Sequence, residues 1–433
     1  MKLLLSGLAA LSVGMRPAAG SLPAGQSVMT MPDTWDRTSG FLDWVSSDMT
    51  EDEIRENALN YSFVWAGLGE ITRRFTSANP DIVVSLYSPA FWDYYNGRPE
   101  PFQPGEGEDT LERRARTLLW WTAEADGIGH PDWVMYQCDG VTPAYWEFDG
   151  GTVPNMALDI TNPDVIDWQV QYSESAMEYG FTAFSGDMFF LRNSNHACGI
   201  YQRGLEWEQI FTGEDSDPAF EFAVNSWAQQ IRNRLQALPS PAGLVVNLPV
   251  YSWLSDKEIA DFAVNVDGIL DEQGFTAFGT DRFFISDESW LHKIRNMIAI
   301  QNQGAAYFSL NYVSTFPPTE NDVDWILGSF LMGREHAAYV LITTADGVRW
   351  PHLPEYDEDV GHPCAPMSSV DNVYLRDYSK GLTVVNPSST FSYTFNLPPG
   401  EFYDLYGKQI EGDTLDLGPM TGKVLLSSAE RCP

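Results

Sequence analysis

Short apolar, β-branched or aromatic runs recur along the chain between longer stretches of helical character, the alternation expected of a parallel sheet covered by helices. Eight such runs predict strands at Ser27–Met31, Tyr61–Ala66, Ile82–Tyr87, Phe181–Gly186, Leu244–Leu248, Val264–Leu270, Ala305–Leu310 and Ala338–Thr343. In a barrel each would be buried on both faces. Helices are predicted at Glu51–Asn60, Asp109–Ala123, Pro163–Tyr179, Pro218–Ala237, Asp256–Ala263, Ser289–Gln301 and Asn321–Gly333. Thr161-Asn162-Pro163-Asp164 supplies a capping residue and a proline suited to the first helical position. Ser286-Asp287-Glu288 places acidic charge at the positive end of the following helix. The stretch from Gly127 to Leu158 is too long for an ordinary βα connection and rich in Trp, Tyr, Gly and Asp, so it reads as a functional excursion.

After Thr344 the texture changes to Pro, Gly, His and Asp. From Val373 onward, short strands are expected at Leu382–Asn386, Phe391–Phe395, Phe402–Tyr406 and Gly422–Leu426, with turns at Asn386-Pro-Ser-Ser389 and Pro398-Pro-Gly400. The fold class is therefore α/β. A (β/α)8 TIM barrel is expected over residues 21–350, and a linker with a small antiparallel β-sandwich over 351–433.

The first residues add a destination. Lys2, the apolar run Leu3–Met15 and the small residues around Pro17-Ala-Ala-Gly20 read as a signal peptide over residues 1–20, so a secreted, extracellular protein is expected. No later stretch approaches the roughly 18 consecutive apolar residues of a membrane span, so no membrane insertion is expected. Cys138, Cys198, Cys364 and Cys432 make an even count for an oxidising compartment. Pairing Cys138 with Cys198 and Cys364 with Cys432 keeps each bridge within one predicted domain. The 60 acidic and 25 basic residues give a formal charge of -35, which would repel a phosphate backbone and so argues against nucleic acid.

Barrel enzymes keep their chemistry at the C-terminal ends of the strands. Two carboxylates fall there: Asp187, closing Gly180-Phe-Thr-Ala-Phe-Ser-Gly-Asp187, and Glu272, closing Val266-Asp-Gly-Ile-Leu-Asp-Glu272. Glycosidic cleavage needs one carboxylic acid to protonate the leaving oxygen and a second carboxylate to attack the sugar or activate water. Asp187 is expected as nucleophile or base. Glu272 is expected as general acid, its pKa raised by the surrounding aromatics. Asp271 and Asp281, the latter from the echoed segment Gly274-Phe-Thr-Ala-Phe-Gly-Thr-Asp281, are alternatives for the second role, and a helix-capping or solvated carboxylate is the plain alternative for each.

Leu158-Asp-Ile-Thr-Asn-Pro163, the strand ending at Asp187 and the segment Asp267–Glu272 occur in that order. Together with Pro354-Glu-Tyr-Asp-Glu-Asp-Val-Gly361 and Val373-Tyr-Leu-Arg-Asp-Tyr-Ser-Lys-Gly-Leu-Thr-Val-Val-Asn-Pro387, they resemble the hypothetical glycosyl hydrolase family 15 group and, more loosely, alpha-galactosidase-like barrels. The resemblance implies a catalytic barrel with a nucleophilic aspartate at Asp187. The chain departs from the alpha-galactosidase-like pattern at Ser185, where those barrels carry Lys.

Substrate-contacting candidates follow from position. Asp159 is expected to meet sugar hydroxyls or cap the helix at Pro163, and Asp139 to line the bowl from the long loop or bind nothing. Asn247 and Asn311 near strand ends offer amides to sugar hydroxyls or serve as buried turn amides. Among the 15 Trp and 19 Tyr, Trp65, Tyr87, Trp92, Tyr145, Trp146, Trp253 and Tyr312 lie just after predicted strands or in loops; Trp146 and Trp253 are the expected sugar platforms, although core packing explains most such rings. The six His show no ligand spacing, and neither a GxSxG elbow nor a Gly-rich phosphate loop occurs. No metal and no cofactor is expected, although Glu355-Tyr-Asp-Glu-Asp359 reads as a calcium loop or a solvated charge run. A secreted glycoside hydrolase acting on an extracellular poly- or oligosaccharide is the expected function. A non-catalytic carbohydrate-binding barrel is an alternative, as is a polysaccharide lyase using Arg192 or Arg349.

Overall fold

A computed structural model describes residues 27, 29–33, 35–94, 119, 129–148, 153–202, 206–250, 254–277, 284–344 and 352–432. The leader, Trp253, Asp281, Arg349 and, Leu119 apart, the helix expected at Asp109–Ala123 lie outside them. The described residues fall into two compact units. One is drawn from Pro89–Glu174 and Met188–Pro239, the other from Pro23–Ser88, Ser175–Asp187 and Ser240–Pro433.

The second unit holds a closed barrel of eight parallel strands: β1 Gly40–Trp44, β2 Tyr61–Ala66, β3 Val83–Pro89, β4 Ala183–Asp187, β5 Gly243–Asn247, β6 Gly268–Asp271, β7 Ala306–Tyr312 and β8 Ala338–Thr343. They neighbour one another in chain order. β8 closes on β1 with Val340 opposite Gly40. Every residue of β2, β5, β7 and β8 is buried, because a barrel strand presents one face to the interior and the other to its covering layer. The interior is filled by Phe41, Phe63, Phe308 and Tyr339, the Phe63 and Phe308 rings lying 4.2 Å apart between centroids.

The helices among the described residues are α1 Glu51–Asn60, α2 Gly69–Ala78, α3 Pro163–Met177, α4 Pro218–Gln236, α5 Asp256–Ala263, α6 Asp287–Asn302 and α7 Glu320–Gly333. Their starts are written locally. Thr50 with Glu53, Ser255 with Glu258 and Thr319 with Asp322 form reciprocal capping boxes, and Asp217 accepts from Ala219 N and Phe220 N ahead of Pro218. Each such cap stabilises its helix by about 1 kcal/mol.

Two expectations are corrected. Ser27–Met31 is not a strand; the first barrel strand is Gly40–Trp44. The earlier run reads as apolar because Met29 packs into the barrel core, its Cβ 3.1 Å from the position a side chain would take at Gly243. Helix α2 was not anticipated. Its N-cap, Leu68, makes no side-chain capping bond, and its buried apolar stripe is only Ile71 and Phe75, so the sequence carries little signal for it.

The C-terminal part is the expected antiparallel module. A five-stranded sheet takes β9 Ser368–Val370, β10 Val373–Tyr378, β11 Gly381–Asn386, β15 Thr421–Ser427 and β13 Phe402–Asp404 in that order; β12 Tyr393–Asn396 pairs with β14 Thr414–Leu417. Val384, Phe395, Phe402, Leu417 and Leu425 form its core. Both expected disulfides are present: Cys138–Cys198 in the first unit and Cys364–Cys432 in the C-terminal module. No helix among the described residues is long and apolar enough to cross a membrane.

Helix α7 joins barrel and sheet. Arg376 on β10, buried, donates through Nη1 to the carbonyls of Leu331, Met332 and Arg334 that the end of α7 leaves open, and Lys423 on β15 pairs with buried Asp324. The two approach so closely that a Cβ at Gly422 would stand 2.5 Å from the Asp324 carbonyl oxygen. Gly422→Ala is therefore expected to destabilise the chain by about 1–3 kcal/mol, read as a lower urea midpoint at unchanged slope. An unchanged midpoint would show that this contact is not tight.

Candidate active site

Six side chains at the C-terminal ends of the barrel strands belong to one compact unit: Asp43 on β1, Tyr87 on β3, Asp187 ending β4, Asn247 ending β5, Glu272 just past β6 and Tyr312 ending β7. Parallel strands all finish at the same rim, which is why residues up to 269 positions apart in sequence can share one site. Asn247 is the centre. Its Nδ2 donates to Asp187 Oδ1 at 2.8 Å and to Glu272 Oε2 at 2.7 Å, one hydrogen to each carboxylate. The reverse orientation would aim the amide oxygen at two carboxylates, so electrostatics fixes the amide as observed. Tyr87 Oη donates to the other oxygen of Asp187 at 2.6 Å, and Tyr312 Oη to the other oxygen of Glu272 at 2.8 Å. Since one nitrogen touches both acids, the two bridged oxygens can be no more than about 5.5 Å apart, so the acids face one small space.

The donors are neutral, so they bring no charge to offset that of the acids. Burial, then the charge of Asp187, raises the Glu272 carboxyl, against smaller lowering by the Asn247 and Tyr312 hydrogen bonds. Asp43 is pushed up to about 8, first by burial and then by the charges of Glu272 and Asp187. Near neutral pH it keeps its proton. Tyr312 is likewise raised by burial and by Glu272, which keeps its phenol a donor.

Asp271, adjacent to Glu272, has a different environment. It is fully buried and accepts from Lys293 Nζ at 2.8 Å and 3.0 Å, from Tyr307 Oη at 2.8 Å and from the Val250 amide at 3.2 Å. This is a satisfied structural ion pair. The strand end thus sorts two neighbouring acids, one into the wall and one into the mouth.

Of the other sequence-nominated residues, Asn311 is in the same unit but its amide is used within the protein: Oδ1 accepts from Phe275 N at 2.7 Å, and Nδ2 donates to Ser309 and Leu341. A Cβ at Gly274 would sit 2.4 Å from Asn311 Oδ1, so that glycine permits the turn following Glu272 to close on β7. Asn311 thus has the partners of a buried turn amide, the second of the two readings its position offered. Asp139, Trp146 and Asp159 belong to the other compact unit. There exposed Asp139 closes a turn onto Val141 and Thr142, and Trp146 lies against Phe190 at 5.7 Å. Asp159 is buried with Oδ1 accepting from Thr161 N and Oγ1; with Asp132 and Glu208 it lines a cavity of about 470 Å³. The helix-capping alternative for Asp159 falls instead to Asn162, whose side chain accepts from Asp164 N. Arg192 pairs with Glu221, and in the acidic stretch Asp357 pairs with His352 and Asp359 with Lys380.

Three features escaped the sequence. Asp43 was hidden because β1 was placed at Ser27–Met31; the run Gly40-Phe-Leu-Asp-Trp44, with two buried apolar residues before a carboxylate, was the available signal. Tyr87 and Tyr312, considered only as rings for stacking or packing, present their hydroxyls to the two acids. Ser185, standing where the resembled barrels carry Lys, is buried against the Ser85 hydroxyl.

No family model matches the chain, and no curated protein matches it. Solved structures do. A GH27 β-L-arabinopyranosidase from Geobacillus stearothermophilus aligns over 91% of this chain and 96% of its own at 9% identity, with a TM-score of 0.49. An isomalto-dextranase from Arthrobacter globiformis T6 aligns over 96% and 76% at 11% identity and 0.48. The glycoside hydrolase domain of PelA from Pseudomonas aeruginosa aligns over 71% and 96% at 12% identity and 0.42.

The raised Asp43 pKa has a consequence for stability. A carboxyl whose folded pKa lies above its ordinary value of 3.8 binds a proton on folding between the two, so its contribution is complete at the acid end and is lost as pH rises towards 8. The melting temperature of the parent is expected to fall between pH 5 and pH 8, and Asp43→Asn to flatten that slope. Identical slopes would show that Asp43 does not titrate there.

Proposed function

We propose that this chain is a secreted glycoside hydrolase that cleaves a glycosidic bond of an extracellular poly- or oligosaccharide with retention of configuration. The carrying observation is the single Asn247 amide shared by Asp187 and Glu272. It brings one oxygen of each carboxylate onto a single nitrogen, and this closeness supports double displacement, which uses the nearer of the two carboxylate spacings. Asp187 attacks the anomeric carbon while the Glu272 proton passes to the departing glycosidic oxygen, leaving a glycosyl ester on Asp187. Glu272, now a carboxylate, takes a proton from water as that water attacks the same carbon, which frees the sugar and restores both acids.

The environment suits these roles. The raised Glu272 pKa keeps a proton available for the leaving group. Tyr87 and Asn247 occupy both oxygens of Asp187 and fix its direction of attack. Protonated Asp43 supplies a donor to a sugar oxygen beside them. The leader and the two disulfides support export. Family 15 resemblance belongs to the same reading, on the motifs around Asp159, Asp187 and Glu272.

A panel of oligosaccharides and aryl glycosides tests this. The parent is expected to release sugar, Asp187→Asn to release none, and Glu272→Gln to lose about 10²–10⁴-fold on natural linkages. Glu272→Gln should keep far more of its rate on aryl glycosides whose phenolate leaves without protonation. Equal turnover by all three proteins would remove these assignments. Parent activity is also expected to fall on the alkaline side as Glu272 loses its proton.

A further inference from the structure

Trp44 ends β1 with its side chain 55% exposed, although Phe41, Leu42 and Val45 around it are buried. Phe222 and Phe391 are more exposed, but neither lies on a barrel strand. Trp44 is held from one side. Its ring packs at 5.0 Å and 47° against Tyr87, whose hydroxyl donates to Asp187. All three residues belong to one compact unit.

An indole left in water forgoes the stabilisation that burial would bring, and one fixed in a single orientation has already lost its rotamer freedom. Both costs fall on the free protein. Both are offset when a flat apolar surface covers the ring, and binding is tighter because no side chain remains to be ordered. The C–H face of a pyranose ring is such a surface. The sugar cannot itself be strongly anionic, because Asp187 and Glu272 would repel a carboxylate held beside them in a poorly screened mouth.

We infer that Trp44 is the wall on which a pyranoside without a carboxylate group stacks while its glycosidic bond lies over Asp187 and Glu272. The inference rests on the hydrolase reading of that pair and names the substrate class that it serves. Trp146 and Trp253, nominated from the sequence, are not needed for this contact.

Steady-state kinetics and binding separate the two claims. On a neutral oligosaccharide that the parent hydrolyses, Trp44→Ala is expected to raise KM about tenfold with kcat within about twofold, and Trp44→Phe to restore most of the loss. Uronate oligosaccharides are expected not to be turned over. Calorimetric titration of Asp187→Asn, with and without Trp44→Ala, should show the same tenfold loss of affinity. Thermal melting of each variant reports whether it is folded, and Trp44→Leu, which keeps apolar bulk without a flat face and is expected to lose as much as Trp44→Ala, carries the test if Trp44→Ala is not.

An unchanged KM and affinity in folded Trp44→Ala or Trp44→Leu, with a parent that hydrolyses the sugar, would overturn the stacking role and leave the hydrolase reading standing. So would preferred turnover of uronates. Trp44-dependent binding of neutral sugars by a parent that hydrolyses nothing would remove the hydrolase reading and keep the wall. Failure of the parent to bind any neutral sugar would remove both.

Discussion

One amide group governs the mouth of this barrel. Asn247 has two hydrogens on Nδ2 and gives one to each of two acids that would otherwise repel each other. An amide is the side chain suited to this, being a neutral double donor that is planar and short enough to stay on its own strand end. A lysine there would add a full charge and draw both acids towards the ionised form. Glu272, with its raised pKa, would then have no proton to deliver. The neutrality of the bridge therefore preserves the proton on which the proposed chemistry depends.

The rest of the fold keeps that amide and its partners in register. Three consecutive strands, β4, β5 and β6, pair in parallel, with Val245 opposite both Ser185 and Gly268, so their ends meet at a common level. Phenols from β3 and β7 close the row on either side. Below the rim, Lys293 neutralises Asp271, and Asn311 ties the turn after Glu272 to β7. Losing Lys293 would leave an uncompensated buried charge, which is far more costly than the pair itself. The carboxylates at the rim are crowded, and burial raises the pKa of Asp43 and Glu272 there; the one in the wall is paired. Both arrangements answer the same problem of negative charge in a low-dielectric setting.

Much of the barrel was legible because parallel strands buried on both faces leave continuous apolar runs, and Tyr61–Ala66 and Ala338–Thr343 match their strands residue for residue. Asp187 and Glu272 stood out by their place at strand ends. Asp43 did not, since a carboxylate inside a five-residue strand weakens the run that would have revealed it, while Met29 mimicked a strand by packing against Gly243. The phenol hydroxyls were invisible for a different reason. Tyr87 and Asp187 are 100 residues apart, and only closure of the barrel brings them to 2.6 Å. The long excursion was recognised by its length, yet its Asp139 and Trp146, with Asp159 just beyond it, belong to a separate compact unit with a cavity of its own. Composition marks a loop as unusual without saying which surface it serves.

The anomeric configuration of the first sugar released, followed by proton NMR before mutarotation, tests the bridged pair most directly. A product with the configuration of the bond that was cut is the outcome required if Asp187 attacks carbon across the short span set by Asn247. An inverted product would mean that water and not Asp187 attacks the carbon, which would contradict the nucleophilic role proposed for Asp187.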